Sequence, residues 1–178
     1  MRWGDTGLDW VPPSPNITRP ETQWIYPATC YIEATNISEG RGTGDPFFTI
    51  GAPFVPAGEL SRLLRARGVP GITVSDTVFT PHESKYRGVS CNGVHYGVVP
   101  GDSLRPVRAG VEILSALVRC CGDSIKISPR GLARLLGDPG ALDLIRQGKT
   151  AGEISSRWEV DVRLFSERST RYKIYPER

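Results

Sequence analysis

Apolar residues in the second half of the chain recur at the spacing of a helix. From Leu104 to Val118 they follow an i, i+3, i+7 pattern, which predicts an amphipathic helix over 105–121. A shorter leucine stripe predicts a helix over 56–67, and Gly68 stands where helices often end in a left-handed residue. Each predicted helix therefore has one apolar face to bury.

The middle of the chain alternates apolar and polar positions as strands do. Two extended runs carry this pattern, and we expect them to be neighbours in a sheet. Their apolar members are Ile72, Val74, Val78 and Phe79 in the first run and Val94, Tyr96 and Val98 in the second. Residues 47–51 predict another short buried strand. Residues 21–35, interrupted by Pro27, predict a broken helix or a helix that leads into a strand.

Helix-capping signals divide the last third of the chain. Ser128 and Asp138 each precede a proline, which is the pairing of an N-cap with a first helical residue, and Gly137 and Gly148 follow as stops. These signals predict two short helices in tandem.

A capping box formed by Thr150 and Glu153 starts a final helix that we expect to end near Arg168. Its predicted apolar face carries Ile154, Trp158, Val162 and Phe165. The basic residues of this region would lie on the opposite, solvated face. Taken together, the elements predict an α+β fold with about four helices on a small mixed β-sheet.

The first twenty residues are rich in tryptophan and proline. Prolines fix φ and remove N–H donors, so we expect an extended strap over 1–20, ordered by Trp3 and Trp10, ahead of an α+β domain over 21–178. A free linker would hold more glycine, serine and charge. The strap should therefore pack across another surface.

Composition narrows the class of protein. The chain has 178 residues, 39% of them apolar, which suits one domain with a real core. A net charge of +3 without a clustered basic face argues against nucleic acid as a partner. Glu112 and Ser115 interrupt the longest apolar stretch, so we expect no membrane span. The first residues lack the apolar run of a secretory signal.

The four cysteines show no C-x-x-C spacing, and the chain has only two histidines. We therefore expect free thiols, no metal site and no cofactor. Nucleotide binding is also disfavoured, because the glycines at 40, 42 and 44 match neither a dinucleotide fingerprint nor a P-loop.

A glycine-rich loop over 36–46 is the first candidate site. It places an acid (Glu39), a guanidinium (Arg41) and a hydroxyl (Thr43) among glycines that let a ligand approach the backbone. Such groups suit a sugar or an organic anion. The alternative is a solvated turn whose glycines only satisfy positive φ.

A second candidate loop over 79–86 follows the first extended run. It crowds hydrogen-bonding side chains together, as functional loops do. Alternatively, His82 and Glu83 form an exposed pair and Lys85 merely covers Tyr86. Ser84 and His82 do not make a triad, because residues two apart rarely reach that geometry.

Several stretches of the chain resemble one family of cell-wall hydrolases. They are Trp10-Val-Pro-Pro-Ser-Pro-Asn16, Asn36-Ile-Ser-Glu-Gly-Arg-Gly-Thr43, Gly51-Ala-Pro53, Phe79 with Thr80-Pro81, Ser84-Lys85-Tyr86, Cys91-x-Gly93-Val94 and Arg105-Pro-Val-Arg108. In order and spacing they resemble the exo-acting β-N-acetylmuramidases of peptidoglycan recycling. The resemblance implies the C-terminal portion of such an enzyme. It also implies a Rossmann-like N-terminal half that this sequence lacks, with the active site in a cleft between the halves and the strap as the crossing.

The resemblance implies roles for residues on this side of the cleft. The glutamate and tyrosine proposed for catalysis in the family belong to the other half, which leaves Glu39 as an auxiliary carboxylate or as the group that orients Arg41. Arg41 or Lys85 would suit the lactyl carboxylate of muramic acid. The implied substrate-binding residues are Asn16, Asn36, Arg41, Thr43, Lys85 and Tyr86.

The implied partners are peptidoglycan fragments or muramic acid glycosides, together with the Rossmann-like half. Family members are often exported, which implies a periplasmic or extracellular location. Two other hypotheses stay open. The chain could be a non-catalytic sugar- or partner-binding module, or a complete small hydrolase that uses Glu39 with Glu83 or Asp76.

Overall fold

Helices and strands alternate in the first part of the chain, and the last part is wholly helical. A computed structural model of the protein describes residues 3–99 and 103–174. Within these ranges the elements are α1 (Thr22–Thr29), β1 (Thr49–Ala52), α2 (Ala57–Arg67), β2 (Ile72–Phe79), β3 (Cys91–Val98), α3 (Pro106–Cys121), α4 (Pro129–Leu136), α5 (Ala141–Arg146), α6 (Ala151–Ser156) and α7 (Glu159–Ser169). The α+β class is confirmed.

The three strands form one antiparallel sheet with β3 in the middle, in the order β1-β3-β2. Thr49 lies opposite His95 in one pair, and Phe79 lies opposite Cys91 in the other. The sequence predicts a mixed sheet, and this prediction is wrong. The chain turns back between β2 and β3, and β1 also runs antiparallel to β3. The predicted strand at 47–51 begins two residues later, since Phe47 has a φ of 67°.

The long helix α3 lies at the centre of the core. It packs against α1, α2, α5 and α6, and eight of its sixteen residues are buried. Gly110 of α3 lies against the Tyr31 ring and the Ala28 carbonyl. Because Gly110 has no side chain, α3 can pack closely against α1 at this point. The predicted helices over 105–121 and 56–67 are thereby confirmed to within a residue.

The region 21–35 is a broken helix, one of the two outcomes that its sequence predicts. Helix α1 contains Pro27 and runs into a 3-10 helix over Cys30–Ala34. This 3-10 segment leads directly into the glycine-rich loop. The break thus sets where that loop begins.

Two capping predictions are confirmed and one is shifted. Ser128 accepts from the N–H of Gly131, and Thr150 forms its capping box with Glu153. Helix α5, however, begins at Ala141 and not directly after Asp138, because Asp138 Oδ1 accepts from the Gly140 N–H at 2.8 Å in a local turn. That bond delays the helix by two residues.

The predicted final helix is in fact two helices, α6 and α7. Trp158 lies at the break, and its indole Nε1 donates to Asp138 Oδ2 at 2.8 Å. Ile154 is buried and Trp158 packs against the core, but Val162 and Phe165 are 63% and 62% exposed. The shared apolar face was therefore a wrong prediction. The described residues form seven α-helices where the sequence predicts about four, and this break accounts for one of the additional helices.

The described part of the predicted strap is ordered by aromatic and ionic contacts. Trp3 and Trp10 meet edge to face with ring centroids 5.3 Å apart, and Trp10 Nε1 donates to the Ile17 carbonyl. Near the end of the strap, Arg19 pairs with Asp45 at 2.7 Å and lies 4.0 Å from the centroid of the Phe48 ring. Trp3, Leu8 and Val11 of the strap stay exposed.

Cys30, Cys91, Cys120 and Cys121 are all free thiols, as the sequence predicts. Burial raises the pKa of Cys30 and Cys121 to about 11. These two are therefore weak nucleophiles at neutral pH. In the described ranges, no helix has the length and apolar character needed to cross a membrane.

The close approach at Gly110 gives a direct test of the core. Gly110→Ala places a Cβ against Tyr31 and Ala28, and we expect it to lower the free energy of unfolding by about 1–3 kcal/mol. The matched control is Gly58→Ala in α2, where a Cβ meets open space; we expect a change within about 1 kcal/mol, towards higher stability. Urea denaturation measures both. Equal stability of the two variants would contradict the packing of α1 on α3.

Candidate functional site

The two candidate loops of the sequence pack directly on each other. The His82 N–H donates to the Gly42 carbonyl at 2.9 Å. Gly42 has a φ of 77°, and a Cβ there would collide with the backbone of Glu83. A glycine is therefore required on both counts. The glycine-rich loop and the loop after β2 form a single site.

A buried carboxylate lies at the centre of this site. The Glu39 side chain is only 4% exposed, and each of its oxygens faces a different cation. Oε1 lies 3.1 Å from Arg41 Nε, and Oε2 lies 2.9 Å from Lys85 Nζ. A buried charge is tolerated when it is paired and hydrogen-bonded in this way. Glu39 thus joins the two loops through opposite charges.

The ammonium group of Lys85 donates its hydrogen bonds to other groups of the protein. Its Nζ donates to the carbonyls of Ile32 and Ile37 at 3.2 and 2.9 Å, and also to Glu39. An ammonium group has three N–H donors, so in this arrangement all are occupied. Lys85 fastens its loop to the 32–39 segment. Its predicted contact with a substrate stays a prediction.

Arg41 lies at the solvent-accessible end of the cluster. Its Nη2 donates to Glu33 Oε1 at 2.9 Å, and the side chains of Arg41 and Glu33 are 30% and 31% exposed. The guanidinium carbon lies 5.1 Å from the centroid of the Phe47 ring. Partial burial alone would lower the pKa of Arg41, but the hydrogen bond and charge of Glu33, with the charge of Glu39, outweigh it and raise that pKa.

Asn36 and Tyr86, two further predicted site residues, hold neighbouring segments in place. The Tyr86 hydroxyl donates to the Asn36 carbonyl at 2.7 Å. The Asn36 side chain donates to the Ser124 carbonyl and accepts from the Lys126 N–H at 2.7 Å. Burial raises the pKa of Tyr86. This amide therefore ties the site to the chain that follows α3.

Thr43 and Asn16 lie farther from the ion pairs. The Thr43 hydroxyl donates to the Gly40 carbonyl at 2.6 Å and accepts from the Asp45 N–H, which shapes the turn. The Asn16 N–H donates to the Ser14 hydroxyl within the strap. Neither side chain makes a hydrogen bond to Glu39, Arg41 or Lys85 within the described residues. Substrate contacts by Thr43 and Asn16 remain predictions.

The carboxylates proposed as partners of Glu39 have different surroundings. Asp76 is exposed on β2, with Arg65 3.9 Å away, and Glu83 is exposed in its loop. Glu39, in contrast, is buried with both oxygens held by cations. This geometry favours the role in which Glu39 orients Arg41 over an acid-base role.

Two residues of the cluster, Glu33 and Tyr26, were not among the predicted site residues. The Tyr26 ring meets Phe47 edge to face with centroids 4.7 Å apart, on the ring that Arg41 also covers. Tyr26 and Glu33 are seven residues apart, a spacing that would bring them near one face if the helix predicted within 21–35 continued past Pro27. That spacing is the signal that could have found them.

An open depression borders the cluster at Glu33, with a volume of about 580 Å³. Its polar lining comes from the two segments that the Asn36 side chain links. The residues are Glu33, Thr35, Asn36, Lys126, Ser128 and Arg134. The candidate site is therefore a buried ion pair beside a partly exposed pair of Arg41 and Glu33, and Glu33 lines the polar depression. Such a surface can bind a polar ligand that carries hydroxyl or carboxylate groups.

Comparison with known proteins assigns the chain to a protein family. The family described as "Exo-beta-N-acetylmuramidase NamZ, C-terminal" matches residues 24–175, which include both loops of the site. The chain belongs to this family.

The relatives it matches are longer proteins. The peptidoglycan beta-N-acetylmuramidase NamZ of Bacillus subtilis (strain 168) is 36% identical over 176 residues, which cover 98% of this chain and 42% of that protein. A crystal structure of a DUF1343 family protein from Bacteroides fragilis has a TM-score of 0.85 at 22% identity, covering 99% of this chain and 48% of that one. A second DUF1343 protein from that organism has a TM-score of 0.72 at 25% identity, covering 94% of this chain and 44% of that one. The chain thus spans less than half the length of these relatives.

The difference in burial between Glu39 and Glu33 leads to a prediction. Glu39→Gln leaves Lys85 without its carboxylate partner and Arg41 with Glu33 alone, and we expect it to lower the free energy of unfolding by about 3 kcal/mol. Glu33→Gln removes the same charge from a partly exposed pair and should cost under about 1 kcal/mol. Chemical denaturation at neutral pH measures both. A Glu39→Gln variant as stable as Glu33→Gln would show that the buried pair does not hold the loops together.

Proposed function

We propose that this chain forms the C-terminal portion of a peptidoglycan β-N-acetylmuramidase and lines a substrate cleft shared with a second, Rossmann-like part. The strap would cross between the two parts. The observation that carries the proposal is the partly exposed Arg41–Glu33 pair, which lies in the region matched by the muramidase family. The relative from Bacillus subtilis supports the same substrate class, since it is similar over 98% of this chain.

In this proposal Arg41 binds the lactyl carboxylate of a muramic acid glycoside. Its bonds to Glu39 and Glu33 use Nε and Nη2, and a guanidinium has five N–H donors in all. Donors therefore remain for a ligand on the exposed side. Two acids, Glu33 and Glu39, balance two bases, Arg41 and Lys85. Binding would then depend on directed hydrogen bonds more than on net attraction.

Catalysis by this chain alone is not part of the proposal. The groups of the site can bind and orient a sugar, but the buried and doubly paired Glu39 is poorly placed to exchange a proton. The acid and nucleophile would come from the other part of the enzyme. The second candidate, a non-catalytic sugar-binding module, is favoured by the burial and double pairing of Glu39.

Reconstitution separates the two candidates. We expect the purified chain to release no N-acetylmuramic acid from a chromogenic β-muramide. Mixed with the separately produced N-terminal part of the Bacillus subtilis relative, it should restore release, because the shared cleft is then complete. No release at high concentrations of both parts would contradict the cleft and favour the binding module. Turnover by the chain alone that Glu39→Gln abolishes would contradict both.

The role of Arg41 predicts a separate effect on binding. Arg41→Lys keeps the charge but loses the planar fork, and we expect it to weaken binding of methyl N-acetyl-β-muramide by about 1–3 kcal/mol. Calorimetric or NMR titration of the chain measures the affinity. The exposed Arg130→Lys on α4 serves as the control and should bind as the parent does. If Arg41→Lys binds normally but melts at a lower temperature, Arg41 is a structural residue only.

A further inference from the structure

We infer that Tyr26 and Glu33 form, beside Arg41, a face that contacts the pyranose ring of the sugar. This inference rests on the proposed function and adds to it two contact residues. It assigns different contacts to different residues. Arg41 would bind the carboxylate, and Tyr26 with Glu33 would contact the ring and its hydroxyls.

The side chains of Tyr26 and Arg41 both pack on the ring of Phe47. Phe47 is buried to 1% exposure, and its N–H donates to the Glu39 carbonyl at 2.7 Å. The Tyr26 ring meets it at 83°, and the Arg41 guanidinium lies over the same ring. Both side chains therefore have little freedom to move apart. A ligand that meets one of them is placed next to the other.

The side chains of the cluster that reach solvent are the ones that would contact a ligand. Tyr26 is 37% exposed, close to the values for Glu33 and Arg41, whereas Glu39 is almost fully buried. An aromatic ring held with part of its surface in water offers an apolar face and a polar tip. The face suits the C–H groups of a pyranose, and the tip suits its hydroxyls.

Glu33 complements the ring as a hydroxyl acceptor. Its contact with Arg41 uses Oε1, and a carboxylate has about four acceptor positions over its two oxygens. Glu33 also borders the open depression, so a sugar on Tyr26 could extend over it. Burial and the charge of Glu33 raise the pKa of Tyr26, so its phenol stays a hydrogen-bond donor at neutral pH. Donor, acceptor and apolar surface are thus adjacent.

NMR titration of the full chain tests this face with two probes. Methyl N-acetyl-β-muramide carries the lactyl carboxylate, and methyl N-acetyl-β-glucosaminide lacks it. We expect Tyr26→Ala to weaken binding of both sugars by about fivefold to tenfold through loss of ring contact. Glu33→Gln and Tyr26→Phe should each weaken both by about twofold to threefold. Arg41→Lys should affect the muramide alone.

Two further measurements separate contact from structure. Nuclear Overhauser effects between the Tyr26 ring and sugar ring protons are expected in the parent chain, and a structural role would not produce them. Tyr172→Ala, at an exposed tyrosine near the other end of the chain, is the control and should bind normally. If Tyr26→Ala fails to fold, Tyr26→Leu keeps the apolar bulk over Phe47 while removing the flat ring, and it should show the same loss.

The outcomes distinguish the two levels of the proposal. Normal binding by folded Tyr26 variants, with muramide binding weakened in Arg41→Lys, would overturn this inference and leave the proposed function standing. Weaker binding of both sugars in Tyr26 variants, with Arg41→Lys binding normally, would support the ring contact and contradict the carboxylate role of Arg41. No binding of either sugar by the parent chain would overturn this inference, and it would overturn the proposed function as well if mixing with the N-terminal part also gave no release.

Discussion

The architecture of the site depends on one buried carboxylate. Glu39 lies between Arg41 of its own loop and Lys85 of a loop 46 residues farther along the chain. Removing such a charge from water is costly, and both cations are needed to offset that cost. Because Lys85 also donates to two backbone carbonyls, the pair fixes the loop after β2 against the 32–39 segment. A buried ion pair therefore fixes the positions of the side chains that face solvent.

From this buried pair the side chains become progressively more exposed. Arg41 shares one contact with Glu39 and the next with Glu33, and Phe47 supports both Arg41 and Tyr26 from beneath. Binding sites commonly need their contact residues held by residues behind them. Here the charged residues closest to the interior give rigidity, and the outermost ones remain available for a ligand. The residues matched by the muramidase family include all of these side chains.

The sequence predicts what depends on neighbours along the chain. The stripe of α3, the C-terminal glycine of α2 and the capping box of Thr150 are local signals, and the structure confirms them. The apolar face expected to run on to Phe165 was wrong, because a distant carboxylate, Asp138, binds Trp158 and the helix breaks there. Pairing of the two candidate loops was equally out of reach. It depends on contacts between residues distant in sequence, the bond from the His82 N–H to the Gly42 carbonyl and the pair of Lys85 with Glu39, which no local pattern indicates.

The central claim is that Glu39 and Lys85 hold the two loops together as a coupled pair. A double-mutant cycle of Glu39→Gln and Lys85→Met, followed by urea unfolding of all four proteins, measures that coupling directly. A desolvated pair of this geometry predicts a coupling energy of about 2 kcal/mol or more. A coupling energy below about 0.5 kcal/mol, as for an exposed ion pair, would contradict the claim.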